Sequence, residues 1–179
     1  MVKVTGVLIT NRGEEIPLLD AAAVNGTESN LSTDPAITVN AQGVGDYMQG
    51  ATVTHGLVVS LTNSISYCYI LRQGLVAAII PVGTAGQQNE MQALAKPFTL
   101  IAGDVVRVLP ASAASRLGIM AVYTNQGNCR LFKSGTTPAG AATVQMEDTQ
   151  TGNSIGNTLQ GQRIMMAWFN SVDSGKIIS

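Results

Sequence analysis

Short runs in which every second side chain is apolar, each closed by a glycine, asparagine or proline turn, constrain this chain more than any other feature. Alternation of that period turns one side of an extended segment toward a core and the other toward solvent, and a helix cannot use it. Val2 to Thr10 reads as a strand, followed by the Asn11-Arg12-Gly13 turn and a second extended piece, Glu14 to Leu19. Gly56 to Leu61, Ile65 to Arg72 and Leu75 to Pro81 are strands separated by Thr62-Asn63-Ser64 and Gln73-Gly74. Connections this short favour antiparallel neighbours, because a parallel pair needs a long crossover. Phe98 to Ile101 and Asp104 to Leu109 flank Ala102-Gly103, and Leu117 to Thr124 and Asn128 to Lys133 flank Asn125-Gln126-Gly127. Ala141 to Met146 and Gln162 to Asn170 are the last strands, with a polar loop from Thr149 to Gly161 between them. Asp20 to Gly50 is loop-rich, with turn markers at Asn25-Gly26 and Asp34-Pro35 and a short strand at Ala36 to Asn40. The spacing of Met91, Leu94 and Ala95, ended by Pro97, predicts one short helix within Gly83 to Pro97.

About ten short strands with frequent turns define an all-β class: an antiparallel sandwich or jelly-roll-like barrel. The expected organisation is a single β domain over 1–179, with 1–19 as an N-terminal arm or strand pair and 20–50 as a loop-rich segment. Composition then limits the partners. Only 12% of the 179 residues are charged, against about 25% in ordinary domains. Asn and Gln together number 22 and outnumber Asp, Glu, Lys and Arg combined. Ten basic residues against eleven acidic ones give a net charge of −1, which argues against direct nucleic-acid binding. The longest apolar run, Leu75 to Val82, is too short for a membrane-spanning helix, and the N-terminus does not read as an export signal. Cys68 and Cys129 are therefore expected as reduced, buried small hydrophobes.

Chemistry finds little support. His55 is the sole histidine and stands at a strand start, where a nucleophile beside it cannot be read from sequence. No CxxC, HxH or HExxH spacing occurs, so no metal site is expected. Asp20, Asp34, Asp46, Asp104, Asp148 and Asp173 are scattered and suit turn or surface roles; adjacent pairs such as Glu14-Glu15 and Glu147-Asp148 point to opposite faces of a strand. Gly43-Val44-Gly45-Asp46 lacks the third glycine of a dinucleotide loop, and Gly83-Thr84-Ala85-Gly86 and Gly135-Thr136-Thr137-Pro138 lack a phosphate-loop lysine. Arg107, Arg116 and Arg130 lack interleaved aromatics and suit packing or intersubunit ion pairs. The expectation is a non-enzyme with no catalytic residues and no cofactor.

Ile164-Met165-Met166-Ala167-Trp168-Phe169 is apolar on both faces, which places this strand in a core or an interface. With only eight aromatics to build a core and a surface poor in charge, a symmetric homo-oligomer is the economical solution. The interface candidates are Val4, Val7, Ile9, Ile16 and Leu18 near the N-terminus, and Met166 and Trp168 near the C-terminus.

The mid-chain segment Phe98-Thr99-Leu100-Ile101-Ala102-Gly103-Asp104-Val105-Val106-Arg107-Val108, in a short Ala/Thr/Gly/Asn-rich β chain, resembles the virion structural proteins of tailed phages. The nearest style is that of the small capsid decoration, or cement, proteins, and the likeness is one of composition and architecture over most of the chain. It carries over no site residue. It implies a homotrimer seated on the major capsid protein of a phage shell, made in the host cytoplasm and located at the virion surface. It also implies an N-terminal arm, Met1 to Leu19, that contacts the shell or a neighbouring copy. The expected function is to bind and stabilise the assembled shell through oligomeric contacts. The alternative is an adhesive module of the particle, a head fibre, spike or jelly-roll carbohydrate binder, using Tyr47, Tyr69, Tyr123 or Trp168 as stacking surfaces.

Overall fold

The computed structural model describes residues 2–24, 26–33, 42–60, 65–83, 89–110, 118–134 and 145–171. The sequence reading treats the chain as one domain; its internal contacts gather into two compact units, Met1–Ser112 and Ala113–Ser179, described separately below. The class is all-β and antiparallel throughout the ladders, as the alternation predicts.

The first unit contains β1 (Val2–Thr10), β2 (Glu15–Ala23), β3 (Ser29–Thr33), the one-turn helix α1 (Val44–Tyr47), β4 (Thr52–Ser60), β5 (Ile65–Arg72), β6 (Leu75–Ile80), β7 (Gln92–Thr99) and β8 (Val105–Pro110). Their sheet order is β6-β5-β8-β3-β2-β1-β4-β7. One of the two faces is inside: Val4 and Leu8 of β1, Ile16 and Leu18 of β2, Leu31 of β3, Val53 and Val58 of β4, Cys68 and Ile70 of β5, and Val106 and Val108 of β8 form one buried core. The sheet nearly closes into a barrel. β7 pairs with the first half of β4, from Thr52 to Gly56, and leaves the second half free. There the chain running on from β6 comes alongside: the Val58 N–H donates to the Pro81 carbonyl at 3.1 Å and the Gly83 N–H donates to the Val58 carbonyl at 2.8 Å. This is a parallel bridge between Val58 and Val82, so the strand at one end of the order reaches a strand near the other. Gly56 sits where the curved sheet turns inward; a Cβ there would meet Leu8 at 2.8 Å, Ile80 at 3.2 Å and Leu94 at 3.5 Å, atoms of three separate strands.

One end of this unit is tied by Asp104, which is fully buried. Arg72 donates from Nε to Asp104 Oδ1 at 2.8 Å and from Nη2 to Oδ2 at 2.6 Å, a bidentate pair at the end of β5. The Ile101 N–H also donates to Oδ2, at 2.9 Å, and the guanidinium lies 4.3 Å from the Phe98 ring centroid. The Gly45 N–H donates to the Asp104 carbonyl, and Asp46 accepts from the Gly103 N–H, both at 2.9 Å. A side chain at Gly45 would collide with the Ile101 carbonyl and the Asp104 backbone, which explains glycine in this one-turn helix.

The second unit contains β9 (Gly118–Thr124), β10 (Cys129–Ser134), β11 (Met146–Asp148), the one-turn helix α2 (Ile155–Thr158) and β12 (Ile164–Ser171), in sheet order β11-β10-β9-β12. One face carries Met120, Val122 and Phe132, covered by Leu159, Ile155 and Met146. Asp148 is 2% exposed and its Oδ1 accepts from the Gln150 and Thr151 N–H groups at 2.8 and 2.9 Å. Asp104 and Asp148 thus keep their expected turn positions but are interior rather than surface residues.

Three expectations change. The helix read from Met91, Leu94 and Ala95 does not form among the described residues: Gln92–Thr99 is β7, in which Leu94 alone is buried. Pro97 is tolerated because β7 lies at the sheet edge, where a missing N–H costs no ladder bond. The two helices lie instead in stretches read as loop, as does β3. Short connections predict β5–β6 correctly, but β4 and β5 are not ladder neighbours, since β4 runs between β1 and β7. The strand placed at Ala36 to Asn40 and most of that placed at Ala141 to Met146 lie outside the described residues.

Candidate functional site

Of the alternatives for 1–19, an arm or a strand pair, the chain takes the second. β1 lies in mid-sheet, paired with β2 on one side and β4 on the other along nearly its whole length. Val4, Ile16 and Leu18 are therefore not interface residues: all three are at most 1% exposed within the first unit's core. They were eligible for either role because alternation distinguishes two faces without saying which is inside. Removing Met1 to Leu19 would take out strands from mid-sheet rather than trim an arm.

Val7 and Ile9 stand on the opposite face. Register builds a grid there: Leu19–Thr5–Val59, Pro17–Val7–Leu57 and Glu15–Ile9–His55 lie side by side across β2, β1 and β4. Val7, Ile9, Pro17, Leu19, Leu57 and Val59 are each half-buried, so this face is apolar yet reached by solvent. Among the described residues of this grid Glu15 is the only carboxylate. This contiguous apolar surface is the first candidate contact face of the chain. Leu57 and Val59 were missed at sequence level, although their alternation with the buried Val58 was the signal.

The second surface is β12. It forms the edge of its sheet, paired on one side with β9 through Ile164↔Thr124, Met166↔Tyr123, Ala167↔Val122 and Trp168↔Ala121, with a bulge between Ile164 and Met166. Ile164, Met165, Met166 and Trp168 are 49%, 63%, 44% and 36% exposed. The core alternative is overturned for Ile164 to Trp168: among the described residues these five side chains are exposed on both faces of the strand, and a charge at Met166 or Trp168 would meet water rather than an apolar interior. Its entry is fixed by reciprocal bonds, the Asn125 N–H to the Arg163 carbonyl and the Arg163 N–H to Asn125 Oδ1, both 2.9 Å.

Many polar groups elsewhere have partners within the chain, although among the described residues six buried side-chain atoms, Asp148 Oδ2 among them, have none. Glu28 accepts from the Tyr67 hydroxyl at 2.7 Å, from the Tyr69 hydroxyl at 3.2 Å and from Arg107 Nη1 at 3.3 Å, while Arg107 Nε donates to Asn30 Oδ1. Burial, followed by the Glu28 carboxylate, pushes both phenols up, Tyr69 to about 12 and Tyr67 further. Tyr69 is thus a buried anchor and not a stacking surface, and Tyr123 is half-buried; Tyr47 and Trp168 are the exposed members of that set. Arg107 forms its ion pair with Glu28 within the chain rather than with another subunit, Arg130 reaches Gln150 at 3.4 Å, and Arg116 lies outside the described residues. Exposed His55 has Ile9 and Ala93 as cross-strand neighbours, and its Nδ1 lies 3.0 Å from Thr54 Oγ1. Cys68 and Cys129 are both free and buried, as expected, and burial raises both thiols, Cys129 to about 12. Among the described residues no cluster of three or more His, Cys, Asp or Glu could hold a metal ion, and no helix is long and apolar enough to cross a membrane. No protein-family model, no curated protein and no solved structure matches the chain.

Proposed function

We propose that this chain is a virion structural protein, a capsid decoration or cement protein that binds and stabilises an assembled phage shell. The observation that carries the reading is the outward grid of Val7, Ile9, Pro17, Leu19, Leu57 and Val59, an apolar face on a rigid sheet with a single carboxylate, Glu15. Buried centres of protein contacts are poor in charge, and a strand scaffold holds such a face in shape before contact. The partner is the major capsid protein of the shell, and the expected state is a homotrimer at the virion surface. No catalytic role is assigned to any residue.

Shell binding tests this. Purified protein mixed with shells assembled without it should cosediment and raise their melting temperature. Leu57→Glu, which changes only the outward side of β4, should cut binding at least tenfold with an unchanged far-UV circular dichroism spectrum. Absence of cosedimentation by the parent protein would sink the proposal. The adhesive reading draws on exposed Tyr47 and Trp168, and a glycan array distinguishes it: a specific signal lost in Trp168→Ala would favour it.

A further inference from the structure

The edges of the two sheets are treated differently. In the first unit, β7 carries Lys96 and Pro97, two residues that discourage another strand from pairing. In the second unit, β11 is only three residues long and includes Glu147 and Asp148. Its outer side is also occupied: the Asp148 N–H donates to the Asn153 carbonyl at 2.8 Å, and Glu147 bridges Ser154. β12 has none of these devices. It is eight residues long, with no proline and no charge from Ile164 to Ser171. Among the described residues no strand lies along its outer side, and four of its large apolar side chains are open to solvent.

We infer that β12 is a pairing edge whose occupant is the β12 of a second copy of this chain, joined antiparallel across a two-fold axis. Charge selects that occupant. A strand bearing Lys or Glu would bury an unmatched charge against Ile164, Met165, Met166 and Trp168, whereas an identical strand brings none. Geometry selects it too. A head-to-tail join in which β12 of one copy adds to β11 of the next is blocked by residues 153 and 154, so self-pairing is the strand join left to this sheet. Eight residues at about 3.4 Å each give a seam roughly 27 Å long. The Arg163–Asn125 bonds and the β9 ladder hold the edge extended beforehand, so little order has to be gained on pairing. The seam is independent of shell binding and of any three-fold contact; in a trimer it would join one trimer to another.

Light scattering on the purified full-length protein, at concentrations from about 1 to 100 μM, tests this seam. The expected result is an even number of subunits, halved in Met165→Lys, where the most exposed residue of the edge becomes a charge. Because a lysine could instead loosen the second unit, hydrogen exchange of the unaltered protein supplies a second reading. β12 amides should gain protection with rising concentration, while β7 amides should not. A parent protein that is monomeric or has an odd subunit number overturns the seam, as does a Met165→Lys variant with unchanged subunit number, or β12 exchange independent of concentration. None of these outcomes bears on cosedimentation with shells, which tests the shell reading separately.

Discussion

At the residue scale, the two strongest polar devices are the Arg72–Asp104 pair and the Glu28 cluster. Asp104 is fully buried and Arg72 partly so, which makes the consequences of removing each partner unequal. Arg72→Met strands a buried carboxylate, a change that costs about 3–5 kcal/mol in comparable pairs. Asp104→Asn keeps an acceptor for the Ile101 N–H and leaves only a half-solvated guanidinium. Thermal melts should therefore rank Arg72→Met well below Asp104→Asn, and equal melting temperatures would refute the role of Asp104 as the tie. The tyrosines make a prediction at alkaline pH. Tyr69 keeps its proton to about pH 12 in the fold and Tyr67 longer, chiefly through burial, whereas an unfolded tyrosine loses it near 10. Over that window the unfolded chain binds fewer protons, so stability present below pH ~10 is lost as pH rises toward and through 12. Denaturant midpoints should fall across this range, with the ultraviolet band of tyrosinate from this pair appearing together with unfolding. A folded protein in which Tyr67 and Tyr69 both titrate near pH ~10 would contradict this.

At the element scale, the positions of the longer strands were legible and interior assignments were not. β1, β5, β9 and β10 fall within a residue or so of the alternating runs. The helix at 83–97 failed because three apolar positions at helical spacing also fit a strand with one buried residue, Leu94, and an edge position excuses Pro97. α1 and α2 are single turns held by neighbours, too short to leave a periodic signal. Of the seven interface candidates, Val7, Ile9, Met166 and Trp168 reach solvent, while Val4, Ile16 and Leu18 do not, because nothing in a period of two tells inside from outside. The element that covers the core of the second unit can be tested directly. Phe132 is fully buried beneath Leu159 and Ile155. Phe132→Ala should cost about 3–5 kcal/mol, read as a fall in the denaturant midpoint. An unchanged midpoint would show that this face does not depend on the ring.

For the whole molecule, a surface poor in charge acquires a location. In the first unit Arg72 is paired with Asp104 and Arg107 with Glu28, while Val7, Ile9, Leu57 and Val59 face outward. Composition alone announced contact surface; only register could say which strands bear it. The near-closed sheet of the first unit also has a consequence in time. β3 (Ser29–Thr33) pairs with β2 on one side and with β8 (Val105–Pro110) on the other, and β8 in turn is the link from β3 to β5. A nascent chain can pair β1, β2 and β4 as they leave the ribosome, and the Val58–Val82 bridge can form once Gly83 is out, but β3 and β5 remain unjoined until Pro110 has emerged. During that interval β3 presents a bare edge and the strands destined for the interior face water. The order of synthesis therefore makes this a slow, late-closing fold, most vulnerable to mispairing with other nascent copies just before its eighth strand arrives.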